Sequence, residues 1–160
     1  MKIYFPKMIS CFAIATALML SACGGDGGGD EPEPEPTDSA NPVITVTTPT
    51  ATGQTYPLGG TFQFTGTFTD DLDLKEVEFI LEDNKPTSAA SLKAATGVED
   101  EPWEPEAETV ALSGKTGEVN KGLFGGIPAS DIWTGSYTLT ITCTDAVGKT
   151  ATKTIDVTLE

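Results

Sequence analysis

The chain is predicted to fold as an all-β, antiparallel β-sandwich of about seven strands. From Pro42 onward apolar and polar residues alternate with period two, in runs rich in Thr, Val, Ile and Phe. Turn residues separate these runs. No ten-residue window after Pro42 has a clear helical period, apart from Ser88 to Ala95, which is long enough for one or two turns.

Each strand follows from its own alternation. Ile44 and Val46 alternate with Thr45 and Thr47, giving strand A. Phe62, Phe64, Gly66 and Phe68 share one face of strand B, and Thr61, Gln63, Thr65, Thr67 and Thr69 share the other. Val77, Phe79 and Leu81 alternate with Glu76, Glu78 and Glu82 in strand C. Glu108 to Leu112 and Gly117 to Phe124 are weaker candidates for strands D and E. Tyr137, Leu139, Ile141 and Cys143 alternate with threonines in strand F. Ile155, Val157 and Leu159 alternate with Thr154, Asp156 and Thr158 in strand G. Asp145-Ala146-Val147-Gly148 joins F to G as a hairpin turn. Lys153 falls on the inward parity of strand G, where its stem can reach out at the sandwich edge. Seven short strands with turns between them form the sequence pattern of an immunoglobulin-like sandwich.

The first residues have a different logic. Lys2 and Lys7 precede the apolar run Ile9 to Leu20, and small residues follow. This is the layout of a secretory signal. The run is too short to span a bilayer, which takes about 20 apolar residues. Leu20-Ser21-Ala22-Cys23 resembles the lipobox of bacterial lipoproteins. That resemblance implies cleavage of residues 1–22 and lipidation of Cys23. The expected location is the outer membrane of a Gram-negative bacterium, with the cell surface expected over the periplasmic face. Acyl chains contribute about 0.8 kcal/mol per buried CH₂, and stable anchoring takes more than one chain. A diacylated or triacylated cysteine meets that need.

Gly24 to Asp30 is glycine-rich and acidic, and Glu31 to Pro36 repeats Glu-Pro. Glycine makes the first part a flexible coil, and proline extends the second. The expected organisation is a signal peptide at 1–22, a disordered acidic linker at 23–41 and a sandwich domain at 42–160. Asp26, Asp30 and Glu31 resemble the acidic surface-export signals of Bacteroidota lipoproteins.

Charge excludes several functions. The chain has 9 Lys, no Arg and no His against 24 Asp and Glu, for a net charge of −15. Removal of residues 1–22 takes away two Lys and no acid, leaving 7 Lys against 24 acids, or −17. Phosphate backbones need clustered Lys or Arg, so no nucleic-acid partner is expected. Without His, a Ser-His-Asp or Cys-His site is impossible. Gly114-Lys115-Thr116 mimics the end of a P-loop, but the earlier glycine and the following helix are missing. Of the 3 Cys, Cys11 leaves with the signal and Cys23 is acylated. Cys143 then stands alone, so the domain has no internal disulfide and depends on its core. The protein is expected to be no enzyme, and a monomer or part of a surface assembly.

Gly135-Ser136-Tyr137-Thr138-Leu139-Thr140-Ile141, through Asp145 and Gly148, resembles the F–G hairpin of bacterial immunoglobulin-like domains, with Tyr137 as the tyrosine of a tyrosine corner. Tyr56-Pro57-Leu58-Gly59, Phe68-Thr69-Asp70 and Cys143-Thr144-Asp145 with Gly148 resemble Bacteroidota lipoproteins grouped as domain of unknown function 4625. The resemblance covers Asn41 to Glu160. It implies the sandwich fold and carries no activity. Any metal role of the histidines found in family members does not transfer to a chain without His.

Two groups are candidate sites. Asp70, Asp71 and Asp73 follow strand B, and Asp145 follows strand F, at the same end of such a sandwich. Clustered carboxylates suit Ca²⁺, which takes six to eight oxygens. The competing reading is that each Asp caps its own turn, and it is favoured here. No other cofactor is expected. Trp103, in Glu101-Pro102-Trp103-Glu104-Pro105, lies in a long connection from Asp83 to Ala107. One reading makes it an anchor for a glycan or protein partner. The other folds it back over the sandwich edge. Trp133 reads as core or corner packing. The linker is expected to enter at the acidic end, leaving the Trp103 connection at the opposite, membrane-distal end.

Overall fold

The computed structural model describes residues 37–86 and 101–160. The signal segment 1–22, Cys23, the Gly and Glu-Pro tract up to residue 36 and the helical turns expected at Ser88 to Ala95 lie outside the described residues. Among the described residues there are eight strands and no helix: β1 (Val43–Thr48), β2 (Thr55–Tyr56), β3 (Phe62–Thr69), β4 (Leu74–Asp83), β5 (Glu108–Ala111), β6 (Thr116–Leu123), β7 (Gly135–Asp145) and β8 (Thr150–Leu159). They form a three-stranded sheet ordered β1-β3-β6 and a five-stranded sheet ordered β2-β8-β7-β4-β5. The predicted β-sandwich is the fold.

Two elements differ from expectation. The two-residue β2 pairs parallel to the end of β8, through Thr55 with Thr158 and Tyr56 with Leu159. Two residues carry no alternation, so no strand was expected there. The candidate strand D, read as Glu108 to Leu112, is β5. In the seven-strand constant-type order, D would sit in the A-B-E sheet. Here β5 instead pairs with β4 at the edge of the other sheet, from Glu76 opposite Ala111 to Phe79 opposite Glu108. Alternation cannot choose between the sheets, because either one would bury the same face of β5. Long-range polar contacts bind β5 to β6 across the sandwich. Glu108 pairs with Lys121, and its second oxygen accepts the Phe124 N–H at 2.7 Å.

The inward face of β3 gives Phe62, Phe64 and Phe68, all fully buried. They meet Val77, Phe79 and Leu81 of β4, Tyr137, Leu139, Ile141 and Cys143 of β7, and Ile155, Val157 and Leu159 of β8. Fully burying one such aliphatic or aromatic side chain stabilises the fold by about 1.5–3 kcal/mol. Phe64 meets Phe79 edge to face across the two sheets, with ring centroids 4.7 Å apart. Gly66 makes room for this. A Cβ there would lie 2.8 Å from Phe64 Cζ and 3.0 Å from the Thr45 carbonyl oxygen. Lys153, opposite Ile141 and on the inward parity, is half-buried.

Register fixes what lies at each end. Val43 is opposite Thr69, Thr69 opposite Thr116, and Leu74 opposite Asp145. The start of β1, the β3–β4 loop and the β7–β8 turn therefore share one end. Asp83 is opposite Tyr137, and Phe62 is opposite Leu123. The connection after β4 and the β6–β7 loop share the other.

Candidate functional site

At the first end, each acidic side chain has a definite task. Asp70 Oδ1 accepts the N–H groups of Leu72 at 2.9 Å and Asp73 at 3.2 Å, which folds the β3–β4 loop around it. Asp73 accepts the Gly114 N–H from the β5–β6 turn. Asp145 is fully buried, and its Oδ1 accepts three successive N–H groups: Val147 at 2.9 Å, Gly148 at 2.7 Å and Lys149 at 2.8 Å. Asp71 turns outward to the chain before β1. Its Oδ2 accepts the Ser39 N–H at 3.0 Å and hydroxyl at 2.6 Å, and its Oδ1 accepts the Ala40 N–H at 3.3 Å. These bonds, led by the Ser39 hydroxyl, lower the Asp71 carboxyl to about 2.

The four aspartates singled out in the sequence do not form one group. Asp70 and Asp71 come together, and the third carboxylate beside them is Asp38. Oxygens of these three lie within 4.8 Å of one another. Asp73 is committed to Gly114 and stands outside this group. Asp38 was missed because Thr37-Asp38-Ser39 reads as linker. Its Oδ1 takes the Lys149 ammonium at 2.6 Å, and Lys149 also donates to the Ala40 carbonyl at 3.1 Å. Residues 38–40, expected within the linker, are thus tied to both loops of this end.

The opposite end is built on Tyr137. Its hydroxyl donates to the Trp133 carbonyl at 2.8 Å, four residues upstream, which is a tyrosine corner. The same oxygen accepts the Trp103 N–H at 3.1 Å. One residue pair away, the Trp133 N–H donates to the Glu101 carbonyl at 2.8 Å. Trp133 is buried as expected, and its ring occupies the space where a Cβ at position 135 would stand, so Gly135 is required there. Trp103 is half-buried and meets Phe124 edge to face at 6.0 Å. The Trp103 segment thus lies over the sandwich edge, with part of the indole still exposed.

A groove of about 660 Å³ runs along the outer face of the five-stranded sheet, lined by Glu82, Asp83, Asn84, Glu104, Thr138 and Thr140, among others. Cys143 is free and fully buried. Burial, then the charges of Asp70 and Asp145, push its thiol up to about 11. Such a thiol is not an available nucleophile near neutral pH. Burial also pushes the Tyr56 hydroxyl up to about 12, and that of Tyr137 upward.

These shifts predict alkaline instability. In the unfolded chain Cys ionises near pH 8.5–9 and Tyr near 10, whereas the folded protein holds both protons. Stability is therefore fully present below about pH 9 and falls as pH rises through 9–12. The Cys143 and Tyr56 shifts are each worth about 3 kcal/mol, a loss that is complete only above the folded values of about 11 and about 12. Urea unfolding at pH 8 and at pH 11 checks this: the midpoint drops sharply, and Cys143→Val removes the part of the drop that begins below pH 10.

A family model described as "Domain of unknown function (DUF4625)" matches residues 28–160. No curated protein matches the chain. Among solved structures, the crystal structure of BslA, a bacterial hydrophobin, is similar over 76% of this chain and 96% of its own, at 18% identity and a TM-score of 0.33.

Proposed function

We propose, from the premise that this chain belongs to the DUF4625 family, that it is a lipid-anchored surface protein whose sandwich acts as a non-enzymatic accessory module in a larger assembly. The observation that carries this reading is the polarity of the domain. The chain coming from Cys23 is bonded at the acidic end, through Asp38, Ser39 and Ala40. The Trp103 segment is docked at the opposite end, the end that this reading assigns to a membrane-distal partner. The absence of His and the buried Cys143 thiol support a role without nucleophilic chemistry. The net negative charge supports a protein or glycan partner over nucleic acid.

A second reading, a structural spacer without ligand specificity, is favoured by the half-burial of Trp103 against Phe124 and Tyr137. One experiment separates the two. The lipidated protein is cross-linked on intact cells, and its captured partners are compared with those of Trp103→Ala and Glu104→Lys. Loss of a specific cross-link in both variants supports the accessory module. Unchanged cross-links in both leave the spacer.

A further inference from the structure

We propose that Asp38, Asp70 and Asp71 form a divalent-cation site, suited to Ca²⁺, that clamps the chain before β1 onto the loops of the acidic end. Three carboxylates with oxygens within 4.8 Å of one another place three negative charges in one small volume. Among the described residues the ammonium that reaches them is that of Lys149, and it is already shared between Asp38 Oδ1 and the Ala40 carbonyl.

A second observation points to a ligand. The Asp38 side chain is only 4% exposed, and its Oδ2 is buried with no hydrogen-bond partner. Asp70 Oδ2 is buried and unpartnered as well. Nearby, the fully buried Asp145 also leaves its Oδ2 without a partner. A buried carboxylate oxygen left unpaired is costly, and such charges are paired or coordinate metals. The donor set is all hard oxygen, with no His or Cys sulfur in the group, which fits Ca²⁺ and not Zn²⁺. Three carboxylates against one ammonium leave two negative charges, which a divalent ion neutralises.

The consequence is mechanical. Asp38 belongs to the chain before β1, and Asp70 and Asp71 belong to the β3–β4 loop. An ion shared by them fixes the direction in which residues 38–40 leave the sandwich.

The test is calorimetric titration of the purified protein with CaCl₂ and, separately, MgCl₂, alongside thermal unfolding in CaCl₂ and in EGTA. The expected result is one Ca²⁺ per chain, with an affinity in the roughly 10⁻⁴–10⁻³ M range of extracellular modules and weaker Mg²⁺ binding. Tenfold excess over Kd then raises Tm by about 5 °C. Asp38→Asn keeps the side-chain shape and an oxygen for the Lys149 ammonium, Asp71→Asn keeps the shape and one of its two acceptor oxygens, and each weakens Ca²⁺ binding by about tenfold or more. Glu118→Gln, on the exposed face of β6, leaves binding unchanged. The proposal fails if 10 mM Ca²⁺ gives neither binding heat nor a Tm shift, or if binding survives in both Asp variants.

Discussion

Asp145→Ala is expected to destabilise the domain by about 3–4 kcal/mol, a large share of the roughly 5–15 kcal/mol that holds such a fold. The side chain is fully buried and serves three N–H groups of the β7–β8 turn. Each donor left without an acceptor costs about 1–3 kcal/mol. The full sum is not reached, for two reasons. The turn retains its backbone bonds, from Asp145 N–H to the Lys149 carbonyl at 3.0 Å and from Gly148 N–H to the Asp145 carbonyl at 3.3 Å. Truncation also removes the unpartnered Oδ2 from the interior. Asp145→Asn keeps an oxygen acceptor and is expected to cost less than half as much. Urea unfolding of the two variants checks this: the midpoint falls steeply for Ala and modestly for Asn. Equal losses would mean that charge, not the three N–H bonds, is what the turn needs.

Tyr137→Phe is expected to cost about 2–3 kcal/mol while leaving the ring's packing intact. The hydroxyl both donates to the Trp133 carbonyl and accepts from the Trp103 N–H. Its removal strands one acceptor and one donor at about 1–3 kcal/mol each, reduced where water can reach the half-buried Trp103 segment. The second readout is local. In a Trp133→Phe background, Trp103 is the only fluorophore of its kind, and its emission shifts to the red when Tyr137→Phe is added. A stable variant with an unshifted spectrum would show that the Phe124 contact alone holds the segment.

Much of this fold was legible because period-two alternation is a local signal. The Phe62, Phe64 and Phe68 stripe and the Tyr137 to Cys143 stripe each declare a buried face in consecutive residues, and both faces are buried. The tyrosine corner was legible too, since it needs only a Tyr near the start of one strand. The sheet that β5 joins was not, because its alternation is the same in either sheet, and the Glu108 contacts with Lys121 and Phe124 lie 13 and 16 residues away. The acidic site was half legible. Asp70 and Asp71 sit in the expected loop, whereas Asp38 comes to Lys149 across 111 residues of sequence. No local pattern marks a carboxylate that acts at such range. Asp73 was grouped with its neighbours by sequence proximity, but the turn that Asp70 closes directs it to Gly114 instead.

The anchored-module account is tested most directly by intact-mass spectrometry of the protein extracted from its native membranes. The account predicts a mature chain that begins at Cys23, carries a mass increment of two or three acyl chains, and leaves the membrane fraction in Cys23→Ala. A chain whose first residue lies upstream of Cys23, or one beginning at Cys23 without a lipid increment, would contradict it.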